Sequence, residues 1–567
     1  MLRSVLILTF VILSSNLFSQ VNEGGLPLTF QNDRKSQNLL KSIKHVQEII
    51  LDSIDNQRET KITDSLNYYS DIKLKYYGKI LSVDIDVIKD TEPVYTEEGI
   101  LYLINLKSAT AFGLQFFFDD FYIPDGGKLY IYNGVKDMVL GAFTSKNNEA
   151  QRNFGTQYIK GNSIYLEYYQ PYKTTEKAAI HINRLVHVFT PLLTNRDEWG
   201  ESSYCEIDVA CEMDEKWKEN ARSVALILAI NPSLRYAHWC TGALLNNSQN
   251  DGKPLFLSAA HCADGMRVFL EDSTTHPADF KNWIFLFNYQ RLDCDTNARD
   301  PGYNNSVYGA QLLSIDTSLA LPDNPDRYYT DHLLLRLNAS PEDLKKYNVV
   351  YAGWDANEDS ALQSFYTKSI HHPSGDVKKI SSGGIPYSFN RIPLYPEETH
   401  WRVSWYEGIV EKGSSGGPLF NMNYKIIGQL TSGGSSCFGI GFDNFGKLSL
   451  SYEYGNLQQW LDPENTNAKS LNSYNPGTRT LGKNNIFRYF YDRNSNILHI
   501  IFLESSRPSF ADVLISDITG HTIFQKTYYN EYRNQFSVFL PDLSTGVYIL
   551  RMKYLYETES RKMVIAK

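Results

Sequence analysis

Ser415 stands in the string Gly413-Ser414-Ser415-Gly416-Gly417-Pro418. A serine hydroxyl is a weak nucleophile until an adjacent base takes its proton. The oxyanion formed when it attacks a carbonyl needs two backbone N–H groups aimed at one point. Glycine two residues before the serine permits that tight turn, because it accepts φ values closed to other residues. The string therefore predicts attack by Ser415, with the N–H groups of Gly413 and Ser415 as the oxyanion hole. The matching base is His261, in Ser258-Ala259-Ala260-His261-Cys262, where two small residues leave a substrate room to approach. The third member is Asp331, which opens the apolar run Leu333-Leu334-Leu335. A partly buried carboxylate on an imidazole fixes its tautomer and stabilises the imidazolium. Asp326 is a nearby rival, but it lies in a Pro-rich loop outside that strand. The chemistry implied is acyl transfer.

The elements that must position these groups are strands. The run Leu255-Phe256-Leu257 delivers His261 to a loop, and the histidine, aspartate and serine lie 70 and then 84 positions apart, room for several barrel strands each. That chain order is the one of the chymotrypsin clan, not of subtilisin or the α/β-hydrolases. Residues 200–465 hold all six cysteines and read as short, Gly-punctuated strands, the pattern of a β-barrel domain. An even cysteine count in an exported chain points to disulfides but leaves their pairing open. No Cys-x-x-Cys pair supports a metal site. The adjacent His371 and His372 would point to opposite faces of a strand and are read as structural.

Outside this segment the chain carries little chemistry. Residues 1–19 read as a signal peptide, with Arg3 ahead of a short apolar core from Val5 to Leu13, too short to span a bilayer. Residues 20–199 have no cysteine; 34–65 read as a helix, and alternating runs from about Ile100 onward read as a β-sandwich. Residues 466–484 are polar with Gly and Pro and read as a linker, and 485–567 as a last β unit. Of the 567 residues 42% are hydrophobic and 13% aromatic, with 39 Tyr against 7 Met, so the whole is expected to be mainly β. A net charge of −9 argues against nucleic-acid or anionic-membrane partners. No cofactor is called for, no later stretch reads as a membrane span, and the protein is expected to be a monomer.

Two resemblances sharpen this. Residues 485–567, with Leu543-Ser544-Thr545-Gly546-Val547-Tyr548 and the closing Arg561-Lys562-Met563-Val564-Ile565-Ala566-Lys567, resemble the immunoglobulin-like C-terminal sorting domain of the type IX secretion system of Bacteroidetes. That implies a secreted or surface protein of a Gram-negative bacterium. The central segment resembles the bacterial lysyl endopeptidases, a Lys-specific branch of the two-barrel trypsin-like serine proteases. The likeness is carried by Cys205-Glu206-Ile207-Asp208-Val209-Ala210-Cys211, Cys240-Thr241-Gly242-Ala243-Leu244-Leu245, Asn288-Tyr289-Gln290, Ala352-Gly353-Trp354-Asp355, Ile370-His371-His372-Pro373, Ser435-Ser436-Cys437 and Trp460-Leu461-Asp462.

The second resemblance implies a zymogen with 20–199 as propeptide, and disulfides Cys205–Cys437, Cys211–Cys294 and Cys240–Cys262. It implies Asp443, in Asp443-Asn444-Phe445-Gly446-Lys447, as the partner of a substrate lysine, with Glu411 assisting; the position trypsin uses, six residues before the serine, is Ile409. The family's tryptophan and histidine beside the catalytic histidine are replaced by Ile392 and Thr431. The expected activity is cleavage of protein and peptide substrates after lysine. The alternatives are cleavage after arginine or after both, or an inactive protease-like adhesin.

Overall fold

In the computed structural model, the described residues are 23–31, 43, 45–67, 74–190, 202–233, 235–264, 279–291, 294, 305–316, 330–361, 364–389, 397–438, 441–477, 487–492, 497–502, 510–529, 535–541, 543–554 and 557–565. Residues 1–19, Asp326 and Ile392, all singled out from the sequence, lie outside them. The fold is mainly β, as the tyrosine-rich alternating runs predict.

Residues 45–190 form a sandwich. One sheet contains Gly99–Lys107, Ser163–Pro171 and Lys128–Asn133; the facing one contains Lys75–Asp86, Ala179–Val188 and Gly113–Tyr122. The inward residues of the two, among them Ile104, Leu106, Phe116, Phe121, Ile131, Leu166 and Ile182, make one buried core. The helix expected over 34–65 is corrected: Gln47–Ile50 is a strand paired parallel to the sheet, and the helix is Asn56–Asn67. Ile49 and Ile50 supply β-branched side chains that the sheet edge accepts more readily than a polar helix does.

The central segment holds two barrels. In the first, strands pair in the order Ile284–Phe287, Val224–Asn231, Tyr236–Leu245, Leu255–Ala259, His332–Leu337, Ala310–Ile315. The ring closes because Ser306–Tyr308, paired to Ile284–Phe287, runs into Ala310–Ile315 through Gly309. In the second, Lys379–Gly383, Thr367–His371, Pro418–Asn421, Lys425–Gly433, Phe442–Lys447 and His400–Glu407 close on themselves through pairing of the first with the last. Every residue of Tyr236–Leu245 is buried, so this strand is covered on both faces, as continuously apolar strands are.

Two boundaries differ from the sequence expectation. Ser470–Leu471, inside the expected linker, pairs with Trp354 and Asp355, and Tyr474 bridges Tyr351; the barrels therefore keep the chain to at least residue 474. Polar composition hid this because the pairing uses backbone groups. At the other end, Lys75–Asp86 of the sandwich pairs directly with Tyr236–Leu245, so one sheet runs from the sandwich into the first barrel. The described residues of the C-terminal unit form a second sandwich, three strands facing four, packed on Leu498, Ile500, Val513, Ile515, Val538, Leu550 and Met563. Among the described residues no helix is long and apolar enough to cross a membrane.

Candidate active site

His261 follows Leu255–Ala259 and begins a one-turn helix, His261–Asp264. The register of that strand against His332–Leu337 sets Ala259 opposite His332, which brings Asp331 beside the histidine. Three contacts lock the pair. The Ala260 N–H donates to the Asp331 carbonyl at 2.8 Å, the His261 N–H to Asp331 Oδ1 at 3.0 Å, and His261 Nδ1 lies 2.7 Å from Asp331 Oδ2. Both side chains are buried. With Nδ1 carrying the proton toward the carboxylate, Nε2 is left as the acceptor, and it has no hydrogen-bond partner among the described residues.

Asp331 adopts φ 63°, the left-handed region that aspartate tolerates better than most residues. Asp316 holds it there: its Oδ2 accepts the N–H groups of Thr330 (2.5 Å) and Asp331 (3.0 Å). Burial pushes the Asp316 carboxyl up to about 6; the two N–H groups oppose that rise and the charge of Asp331 adds to it. Asp316 went unnoticed in the sequence, where nothing local distinguishes it from a surface aspartate.

The serine loop is held by backbone bonds that leave two of its N–H groups free of partners among the described residues. A trans peptide points its C=O and N–H in opposite directions. The Lys412 carbonyl accepts from Ser374 N–H at 2.7 Å, so the Gly413 N–H faces away from that bond. The Ser414 carbonyl accepts from Gly417 N–H at 2.8 Å, so the Ser415 N–H faces away likewise. Neither N–H has a hydrogen-bond partner among the described residues, and neither does Ser415 Oγ. Gly413 has φ 99°, and a Cβ there would come within 3.0 Å of Ser374 N and 3.1 Å of the His372 carbonyl.

Thr241 joins this loop to the first barrel. Its N–H donates to the Ser415 carbonyl at 2.7 Å, and its hydroxyl to the Gly413 carbonyl at 3.1 Å. A Cβ at Gly416 would sit 2.2 Å from Ser258 Oγ and 2.8 Å from Ala259 N, so this glycine is what lets the serine loop approach the histidine loop. The sequence shows Thr241 only as part of Cys240-Thr241-Gly242; its double grip appears with the fold. Gly413→Ala keeps the N–H, but its Cβ would push the loop off Ser374 and His372 and misaim that donor, so it is expected to lower kcat by up to about 10²–10³, the scale of losing one oxyanion donor, with a much smaller change in KM. Steady-state kinetics on a small ester or amide substrate checks this.

The cysteines join as Cys205–Cys437, Cys211–Cys294 and Cys240–Cys262, the pairing the resemblance implies. The third ties the residue after His261 to the residue before Thr241, so it braces the histidine loop and the serine loop at once. His371 lies between the hydroxyls of Ser414 (2.8 Å) and Ser381 (3.0 Å), and His372 stacks on Tyr289. Among the described residues no group of His, Cys, Asp and Glu could hold a metal ion.

The two expected specificity carboxylates part company. Asp443 is fully buried beside Gly433, and its Oδ2 accepts from Trp405 Nε1 at 2.6 Å. Glu411 instead accepts the N–H of Ser203 at 3.1 Å and is also bonded by the Ser203 hydroxyl, so it clasps the chain entering the domain. Thr431, at the place of the family's histidine, is buried with its hydroxyl 3.2 Å from His400 Nε2. Burial holds His400 down at about 3, hence neutral at ordinary pH.

With this geometry in view, the comparisons with known proteins bear on the central segment. It matches the model of the lysyl endopeptidase C-terminal domain over residues 199–446. Residues 199–446 are thus similar to the lysyl endopeptidases. The lysyl endopeptidase of Pseudomonas aeruginosa is 30% identical over 249 residues, 43% of this chain and 48% of that protein, so the chain spans about half the length of this relative. Residues 494–566 match the secretion system C-terminal sorting domain, which directs the chain to the cell surface or the extracellular space. Among solved structures, the active form of the Rv3671c protease from M. tuberculosis has a TM-score of 0.28 at 14% identity, covering 46% of this chain and 90% of that one. A Glu endopeptidase in complex with MPD has 0.29 at 13%, covering 47% and 99%. The likeness of the central segment to lysyl endopeptidases thus rests on sequence, and its two barrels on their own strand pairing.

Proposed function

We propose that this protein is a secreted serine endopeptidase that cleaves after lysine. The observation that carries the reading is the buried His261–Asp331 pair, with Nε2 unengaged, beside a serine loop whose Gly413 and Ser415 N–H groups are left without partners among the described residues. Ser415 Oγ attacks the scissile carbonyl while His261 Nε2 takes its proton. The oxyanion is held by the N–H groups of Gly413 and Ser415. His261 then gives the proton to the leaving amine, and a water repeats the sequence on the acyl-enzyme. Asp331 holds the tautomer and balances the imidazolium charge.

Asp443 is proposed to receive the substrate ammonium. A carboxylate buried on Phe442–Lys447 and fixed by an indole N–H attracts a cationic side chain far more strongly than a neutral one of similar size. Glu411, already bonded to Ser203, is assigned to anchoring the entering segment; its contact with substrate rests on the resemblance alone. Asp443→Asn is expected to lower kcat/KM for lysine substrates by about 10³, mostly through KM, while a neutral residue at that position is cut no more slowly than before. Digestion of a peptide library by both proteins, read by mass spectrometry, tests this. Cleavage after lysine by the parent, lost in the variant, supports the assignment. Unchanged lysine preference in the variant overturns it, and preference for arginine in the parent favours the alternative specificity. No cleavage at all would favour an adhesin.

In the domain order we propose, residues 1–19 are a signal peptide, 20–199 a propeptide cut near Arg196–Gly200, and the sorting domain is handed to a type IX secretion machinery of a Bacteroidetes-like bacterium. The enzyme is proposed to act as a monomer.

A further inference from the structure

The N-terminal sandwich is not separately packed. Lys75–Asp86 pairs antiparallel with Tyr236–Leu245, setting Lys79, Gly78, Tyr76 and Lys75 opposite Tyr236, Ala237, His238 and Trp239. The Tyr77 ring stacks on Trp239 at 4.9 Å and 14°, and both are fully buried. Buried Glu59 accepts from the Tyr236 hydroxyl at 2.7 Å while pairing with Lys79 at 2.6 Å. Farther along, Phe154 meets Tyr308, and Arg184 pairs with Asp279 at 3.4 Å. Leu74, Tyr77, Ile80, Phe117, Tyr158, Val186 and Val188 of the sandwich belong to one buried cluster with Ile227, Trp239, Phe285 and Tyr308 of the first barrel. A cut between residues 191 and 201 breaks none of these contacts. Separation would expose that apolar surface together with an unpaired strand edge, and interfaces built like a divided core are the obligate ones.

The strand so covered is also the one that steadies the serine loop. Its Trp239 packs on the turn at Gly375, where a Cβ would meet the indole at 2.4 Å, and Ser374 of that turn holds the Lys412 carbonyl that aims the Gly413 N–H. The next residues, Cys240 and Thr241, brace the histidine loop and the serine loop. Tyr77 is therefore linked to the oxyanion donors through Trp239 and the 372–375 turn.

We propose that residues 45–190 are a lasting partner of Tyr236–Leu245: after the chain is cut they stay bound, and Tyr77 acts as a positioning residue for the oxyanion loop. The second half rests on Ser415 being the nucleophile; the first does not. The test places a specific protease site within residues 191–201 of the full chain carrying Ser415→Ala, cuts it, and runs gel filtration in high salt. Both fragments are expected to elute together at the position of the uncut chain; elution as two separate folded species overturns the partnership. In the cut chain with Ser415 restored, Tyr77→Ala is expected to lower kcat about tenfold with KM unchanged, and Tyr77→Phe, which keeps the stacked ring, to restore it. An unchanged kcat in Tyr77→Ala, or a loss shared equally by Tyr77→Phe, overturns the positioning role.

Discussion

Ser415→Ala is expected to lower kcat by about 10⁶ while the fold and substrate binding persist, the scale on which a serine-triad enzyme loses its nucleophile. The structure gives reasons to expect so clean an effect. The loop is held by backbone bonds, from Thr241 to the Ser415 carbonyl, from Gly416 to the Leu430 carbonyl and from Gly417 to the Ser414 carbonyl, none of which uses the hydroxyl. Ser415 Oγ has no partner to forfeit among the described residues, so its removal leaves no orphaned polar group. The thermal midpoint of the variant should therefore match that of the parent within a few degrees. Residual turnover above the water rate should survive, because the two N–H groups still receive an oxyanion.

Asp331→Asn has the next largest expected effect, a fall of about 10⁴ in kcat with KM nearly unchanged. The carboxylate accepts from both the His261 backbone N–H and Nδ1. An amide offers one oxygen to those two donors, and its NH2 group facing Nδ1 would force the proton onto Nε2. The base would then be turned into a donor toward Ser415. Aspartate and asparagine both tolerate the φ of 63°, so the backbone and its tether to Asp316 should be kept and the loss should be one of chemistry. A parallel fall in stability of several kcal/mol would mean that the pair serves folding rather than catalysis. Steady-state kinetics alongside thermal unfolding separates the two.

What the chain revealed before its fold was seen follows from where each signal lies. Ser415, Gly413 and His261 sit in short strings whose neighbours are themselves constrained, Gly416 by the approach of Ser258 and Ala259, Cys262 by its bridge to Cys240. Such residues can be read locally. Asp331 was readable because it opens a buried strand. Asp316, Thr241 and Trp405 were not, because each acts through a contact set by strand register between distant parts of the chain. Tyr77 belongs with them: a tyrosine in an alternating strand looks like any core residue, and only the pairing of Lys75–Asp86 with Tyr236–Leu245 gives it a neighbour near the site. The misread stretch 470–471 fails for the same reason, since its pairing is carried by backbone groups that composition does not report, whereas at 47–50 the β-branched Ile49 and Ile50 were masked by the polar residues around them. Glu411 shows the converse. Its place near the serine was legible, but its attachment to Ser203 required the entering chain to be laid beside it.

The measurement that tests the central claim most directly is covalent labelling of the intact protein with a fluorophosphonate, followed by peptide mass spectrometry. The account predicts a single adduct on Ser415, absent in Ser415→Ala and strongly slowed in His261→Ala. An unlabelled protein that retains proteolytic activity, or an adduct on another serine that persists in Ser415→Ala, would contradict it.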